Sequence, residues 1–347
     1  MRWDIAFDPQ LGDLDNEIRD SIIEIEAYRR SILKLPLPPR LSRRINQINI
    51  VRQLKGTTGI EGNTLTEEQI SQIVAGGPGA GGPQLAGEGS EASLEQQEVL
   101  NAYCVLEFIK ADCRRNPDAV ITEDLVRHIH YLTTDGCSYA ANDPGKYRTH
   151  QNQVGEYTPP PPQDVPSLMK RFIEFINSRL LMEKYGPVIR AILAHFYLIS
   201  IHPFGDGNGR TSRGIEAYIL YCGGYNTRGF YSLANFYYRN RGSYVKQLQD
   251  ARFLHGGRLV EFVKFSLAGY VSELKQIQEE VLGYVTGVMF KDYLRELQDS
   301  GSISWRSRVL LDHMIESGQP MRLDEVKSKT HYLVEGIYHD YKGTKTL

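Results

Sequence analysis

Apolar residues recur at helical spacing along most of the chain. In "DNEIRDSIIEIEAYRRSIL" they fall three and four apart, which predicts an amphipathic helix, and the prolines of "LPLPPRL" then break it. "SRRINQINIVRQLKGTTGIEGN" reads as a second helix, about 44–62, that runs into glycines. "TLTEEQISQIVAGG" opens a third with a Thr-x-x-Glu cap signature. The same rhythm predicts helices at about 93–112, 122–133, 164–184, 187–200, 210–222, 242–255 and 258–296. Two stretches break it. Residues 76–90 are a Gly/Pro/Ala segment with nothing to build a core, expected as a surface connection. "GKYRTHQNQVGEYTPPPPQDV" is irregular and ends on four prolines, which suits a small β-hairpin or flap. The tail "SWRSRVLLDHMIESGQPMRLDEVKSKT" has the rhythm of a helix, a turn and a helix, as in the front half of a winged-helix module, and "TKTL" falls where a recognition helix would begin. The fold class expected is all-α.

Composition narrows the function classes. A formal net charge of −2 gives no global field toward nucleic acid or anionic lipid. No run approaches the roughly 18 apolar residues of a membrane span, and the N-terminus has no secretory apolar core. Cys104, Cys113, Cys137 and Cys222 form no CxxC pair and no metal spacing, so the expectation is reduced, buried thiols in a cytoplasmic protein.

The chemistry concentrates in "HPFGDGNGRTSR", residues 202–213. Glycines at 205, 207 and 209 let backbone N–H groups converge just before a helix start, where partial positive charge favours an anion. Arg210 and Arg213 share one face of that helix, and two guanidinium forks suit a di- or triphosphate. Asp206 offers a hard carboxylate for Mg²⁺ against phosphate oxygens, and His202 is the nearby group suited to act as a general base. An EF-hand would need aspartate where Phe204 stands, and no GxxxxGK[ST] P-loop occurs.

"HPFGDGNGR" followed by "TSR" resembles the Fic signature His-x-Phe-x-Asp/Glu-Gly-Asn-Gly-Arg-x-x-Arg. The resemblance implies a helical enzyme that transfers AMP from ATP to a Ser, Thr or Tyr hydroxyl of a target protein, with ATP as co-substrate and Mg²⁺ as cofactor. It assigns His202 as base, Asp206 to the metal, and the backbone of Gly207, Asn208 and Gly209 to the anion hole. Arg210 and Arg213 take the distal phosphates, and Phe204 anchors the loop. "TTGIEGN" is similar to the family's inhibitory motif, with Thr57 and Glu61 in the key places and Glu61 expected to pair with Arg213. For "IEGN" alone, a helix C-cap at Gly62 and Asn63 remains the alternative. The flap resembles the family's target-docking hairpin, with Gln153, Val154, Gly155, Glu156 and Tyr157 as its edge. "NRGSYVKQLQDAR" is similar to the segment that closes around adenine, where Tyr244 matches and Val245 departs from a frequent second tyrosine. The resemblance covers roughly residues 45–270. It divides the chain into an N-terminal helical region with the inhibitory helix (1–92), a catalytic domain (93–270) and a C-terminal extension (271–347).

His195 sits on an apolar helix and is expected to serve the core, and the i,i+2 spacing of His128 and His130 argues against a metal site. The tyrosine-rich run "GFYSLANFYYRN" is expected as wall and core. Three other activities stay open: hydrolytic removal of AMP with Glu61 positioning water, Doc-like protein phosphorylation, and a nucleotide-sensing DNA-binding regulator. Near-neutral charge weighs against a nucleic-acid partner. Self-association into a homodimer is one route to relieving Glu61.

Overall fold

The computed structural model describes residues 5–11, 15–35, 37–76, 93–116, 120–226, 233–254 and 258–317. The Gly/Pro-rich stretch and the second half of the winged-helix-like tail lie outside them. Among the described residues there is no sheet, and none of the helices is long and apolar enough to cross a membrane. Two compact units divide the chain, Met1–Lys275 and Gln276–Leu347.

The first unit is built around α7 (Gly186–Ile201). Its sequence "GPVIRAILAHFYLISI" is apolar on every face, and a helix of that kind is stable only when surrounded. Nearly all of it is buried. α8 (Asn208–Cys222) packs along it and is flanked by α4 (Leu94–Arg115) and α5 (Glu123–Thr134). α1 (Asn16–Lys34) precedes α2 (Pro39–Gly59), which lies against α3 (Glu67–Gly76), α4 and α9 (Leu233–Arg239). Ile50, Val51 and Leu54 of α2 join Ile70, Ile73 and Val99 in one apolar cluster. α6 (Val165–Ile176) packs on α7, and α10 (Arg241–Phe253) follows α9. α11 (Val260–Asp299) carries the chain from the first unit into the second, which also holds α12 (Trp305–Ser317).

Several expectations need correction. The hairpin flap reduces to one antiparallel bridge between Val154 and Tyr157, closed over Gly155 at φ 56°. Four prolines leave no strand to extend it. α2 starts at Pro39 and not near 44, because proline is tolerated in the first turn of a helix. The helix expected over 164–184 stops at Ile176, and a π-helical turn, Leu180–Tyr185, follows. The Asn177 amide is diverted there to the Ile121 carbonyl at 2.6 Å. The cap of α3 is the reciprocal Thr66–Gln69 pair, since Thr64 instead donates its N–H and hydroxyl to Glu95 Oε1. Cys113 and Cys222 are not free thiols but a disulfide. The packing of α4 on α8 brings their Cα atoms to 5.2 Å, within the usual bridging range. Cys104 and Cys137 remain free.

α2 approaches α9 closely because residue 56 has no side chain. A Cβ on Gly56 would lie 2.7 Å from the Ala234 carbonyl carbon and the Asn235 nitrogen, backbone atoms that cannot rotate away. Gly56→Ala should therefore cost about 1–3 kcal/mol, read as a lower Tm in a thermal melt. An unchanged Tm would mean that the two helices do not meet at this distance.

Candidate active site

The segment between α7 and α8 must leave one buried helix and enter another within a few residues. His202 ends α7 in the left-handed region (φ 52°, ψ 57°), and Gly207 precedes α8 in the same region (φ 71°). The Asn208 side chain closes the turn on itself: Oδ1 accepts from Phe204 N at 2.9 Å and Nδ2 donates to Phe204 O at 3.0 Å. Phe204 is wholly buried, and its ring stacks on His130 with centroids 3.6 Å apart. His130 Nδ1 accepts from the Gly145 N–H at 2.9 Å, so its Nε2 carries the proton and donates to the Asp206 carbonyl at 2.9 Å. Burial pushes the His130 pKa down to about 4, which keeps this donor–acceptor pattern fixed at neutral pH.

The flap region is bound to the same loop. Arg148 donates from Nε to His202 O at 2.8 Å, from Nη1 to His150 O at 2.8 Å and from Nη2 to Pro160 O at 2.5 Å, and its own N–H reaches Pro203 O at 2.9 Å. Asn152 Nδ2 reaches the carbonyls of Phe204 and Gly205 at 3.0 and 3.2 Å. Tyr157 is buried, donates to Ser200 O at 2.6 Å and lies under the Arg252 guanidinium, while Gln153, Val154, Gly155 and Glu156 remain exposed. The expected docking edge thus has a buried foot at Tyr157 and a solvent-facing rim.

His202 is the group best prepared for proton transfer. Burial first, then the positive charges of Arg252 and Arg148, lower its pKa to about 4, against the opposing pull of the Ile199 carbonyl and Glu61. Its Nδ1 lies 3.4 Å from Ile199 O, a long bond that favours the proton on Nδ1 and leaves Nε2 as a lone pair. In the first turn of α8, the N–H groups of Asn208, Gly209 and Arg210 have no helical carbonyl to meet. The Gly207 N–H is already engaged by Asp206 Oδ1.

The two arginines differ. Arg210 is buried and held from three sides: Nη1 donates to Glu98 Oε1 at 2.8 Å and to the Tyr139 hydroxyl at 2.5 Å, and Nη2 donates to Asp206 Oδ1 at 3.1 Å. Arg213 points at α2. Its Nε donates to Thr57 Oγ1 at 3.0 Å, and its Nη2 to Thr57 O at 2.8 Å and Glu61 Oε1 at 2.6 Å. Arg213 Nη1 is buried without a partner. Burial opposes ionisation of Glu61, but Arg213 outweighs it and holds the carboxyl below the usual carboxylate range. Gly209 leaves room for this contact, because a Cβ there would run into the Glu61 carboxylate.

Tyr244 lies in the wall, 2% exposed, with its hydroxyl against His195 Nε2 at 2.9 Å and its ring stacked on Tyr237. Burial, opposed by Arg213 and reinforced by Glu61, pushes its phenol pKa up. His195 is fully buried, with Nδ1 3.2 Å from Glu216 Oε2, which makes it a core histidine. Sequence reading did not single out Glu98, Tyr139, Arg148 and Asn152, nor Asn142, whose Oδ1 accepts from the Asp206 N–H at 3.0 Å, and all of them hold the loop or its arginines. It weighed His130 only as a metal ligand, although the period of α5 places that residue on the buried face.

Residues 120–220 match the model of the Fic/DOC family. The chain is 30% identical over 207 residues to "Protein adenylyltransferase Fic" of Drosophila willistoni, covering 59% of this chain and 38% of that protein. It is 35% identical over 172 residues to the protein of the same name in Drosophila ananassae, covering 49% and 31%. The chain thus spans about a third of the length of these curated relatives. Among solved structures, a Fic family protein from Desulfovibrio desulfuricans superposes with a TM-score of 0.61 at 23% identity, covering 78% of this chain and 76% of that one. Fic-1 from C. elegans does so with a TM-score of 0.61 at 22% identity, covering 76% and 72%. At such identities the structural likeness establishes the fold. The chain has the fold of these proteins, and its residues 120–220 match the Fic/DOC family.

Proposed function

We propose that this chain is a protein adenylyltransferase that moves AMP from ATP to a Ser, Thr or Tyr hydroxyl of a target protein, and that Glu61 restrains it. The observation that carries this reading is a neutral His202 beside a helix start with unpaired N–H groups, next to an arginine whose current anion is a carboxylate. The printed name of the relatives agrees with it.

In this reading the target segment lies along Gln153–Tyr157 and presents its hydroxyl to His202 Nε2. As the hydroxyl oxygen bonds to the α-phosphorus, the proton passes to Nε2, the bond to the bridging oxygen breaks and pyrophosphate departs. The N–H groups of Asn208 and Gly209 receive the developing charge, and Arg213 binds the distal phosphate. Arg210, held by Glu98, fixes the loop and Asp206. Asp206 fits Mg²⁺: its side chain is 49% exposed, Oδ1 is turned to Arg210 and the Gly207 N–H, and Oδ2 is left over. One protein carboxylate suffices where substrate phosphates supply the other ligands, so a site of this kind needs no cluster of three acidic, histidine or cysteine side chains, and none occurs among the described residues. When bound, the ion would neutralise phosphate charge. With Glu61 on Arg213, the phosphate that needs that arginine cannot settle.

A second reading has its own support. Glu61 is held ionised and keeps 35% of its side chain exposed, so it could orient a water for hydrolytic removal of AMP. The two readings respond oppositely to one change. Glu61→Gly protein incubated with labelled ATP and Mg²⁺ should label itself or a target well above wild type, and His202→Ala should abolish the signal. If neither labelling exceeds wild type, the restraint by Glu61 fails. If wild type instead strips AMP from a modified protein and Glu61→Gly does not, hydrolysis is the activity.

The pH dependence follows from the direction of the His202 shift. A base with a lowered pKa is neutral above that value and is lost only as pH falls through it. Transfer by Glu61→Gly should therefore stay flat from pH 8 to below pH 6, with its acid limb near or below 4, because removing Glu61 also removes a group that raised the His202 pKa. An acid limb between 6 and 7 would identify an ordinary solvated imidazole and overturn the assignment.

A further inference from the structure

Glu98, near the start of α4, commits its two oxygens to different parts of the site. Oε1 accepts from Arg210 Nη1 at 2.8 Å and from the Tyr139 hydroxyl at 2.5 Å, while Oε2 accepts from Asn63 Nδ2 at 2.9 Å. Asn63 stands two residues beyond Glu61 and is itself buried. Its N–H donates to Thr58 O at 3.2 Å, which closes the end of α2, and its Nδ2 also reaches Glu95 O at 2.9 Å. Lys55 Nζ binds the Asn63 carbonyl at 3.3 Å. Between Glu61 and Asn63 lies Gly62, at φ 105°. The turn that carries Glu61 is therefore hung from α4 through the Asn63 amide, which alone reaches Glu98, and one residue on through Thr64 to Glu95 Oε1.

A buried carboxylate whose two oxygens serve separate donors cannot shift toward one without loosening the other. From this geometry we infer that Glu98 is a positioning residue that couples the restraint to the catalytic loop: through Asn63 it holds Glu61 over Arg213, and through Arg210 it holds the loop that carries Asp206. The inference rests on the reading of Glu61 as a restraint. It adds a physical link between the restraint and the first arginine of the motif, which Glu61 itself does not bond.

The link is tested by removing its ends separately. Asn63→Ala cuts the bond to the inhibitory turn and leaves Arg210 untouched. With Glu61 present, labelling from ATP should rise about tenfold, the ratio that corresponds to one buried hydrogen bond of about 1.4 kcal/mol. In a Glu61→Gly background the same substitution should change labelling less than about twofold, because nothing is left to release. Asn63→Asp, which keeps the size but sets a negative charge against Glu98, should act in the same direction. Glu98→Ala in the Glu61→Gly background should raise KM for ATP about tenfold with a smaller change in kcat, and Glu98→Gln, which keeps an acceptor for Arg210, should recover most of it. Hydrogen exchange of residues 57–63 should quicken in both Asn63 variants and in Glu98→Ala, whatever the enzyme's activity. If Glu61→Gly fails to activate while exchange at 57–63 still quickens, the restraint fails, and what stands is the mechanical link from Glu98 through Asn63 to the turn at 57–63. Unaltered exchange, or equal effects of Asn63→Ala in both backgrounds, overturns the coupling.

Discussion

Two cations on one buried helix set the terms of this structure. Arg210 and Arg213 lie three residues apart on α8, 6% and 3% exposed, and a buried guanidinium without an anion costs several kcal/mol. Four separate stretches of chain around α8 supply partners. α4 brings Glu98, the segment after α5 brings Tyr139, the loop brings Asp206, and α2 brings Thr57 and Glu61. Arg210 is held by Glu98, Tyr139 and Asp206, with only its Nε left without a hydrogen-bond partner. Arg213 is satisfied by a glutamate in a turn beyond the last residue of its helix.

The loop itself is held by backbone carbonyls more than by charge. Arg148 spends its guanidinium on three carbonyls, two from its own segment and one from His202, so the flap is tied to the 202–213 loop. That arrangement also explains the neutral imidazole. Burial disfavours the charged imidazole first, and two buried arginines near His202 add to it.

Much of this was legible in the sequence. The helical rhythm of α7 and α8 and the glycine spacing of the loop follow from local pattern, while the Glu61–Arg213 pair was expected only from the resemblance of two distant motifs to one family. What was not legible depends on contacts between distant segments. Glu98 reads as an unremarkable acidic residue near a helix start, and only the packing of α4 on α8 turns it toward Arg210. Tyr139 and Arg148 sit in irregular chain, where no period marks which side chains point inward. The cysteines misled for the same reason: Cys113 and Cys222 are 109 residues apart, and sequence spacing is silent about helices that end side by side.

That disulfide has a topological consequence. It closes a covalent ring from Cys113 to Cys222 that contains α5, the flap, α7, the catalytic loop and both arginines. Fixing a loop of this length removes chain entropy worth about 4–5 kcal/mol from the unfolded state. α2 with Thr57, and the turn after it with Glu61, lie outside the ring and meet Arg213 inside it through hydrogen bonds and one ion pair. The parts that would perform the reaction are tied to one another, while the part that would stop it is merely leaning on them.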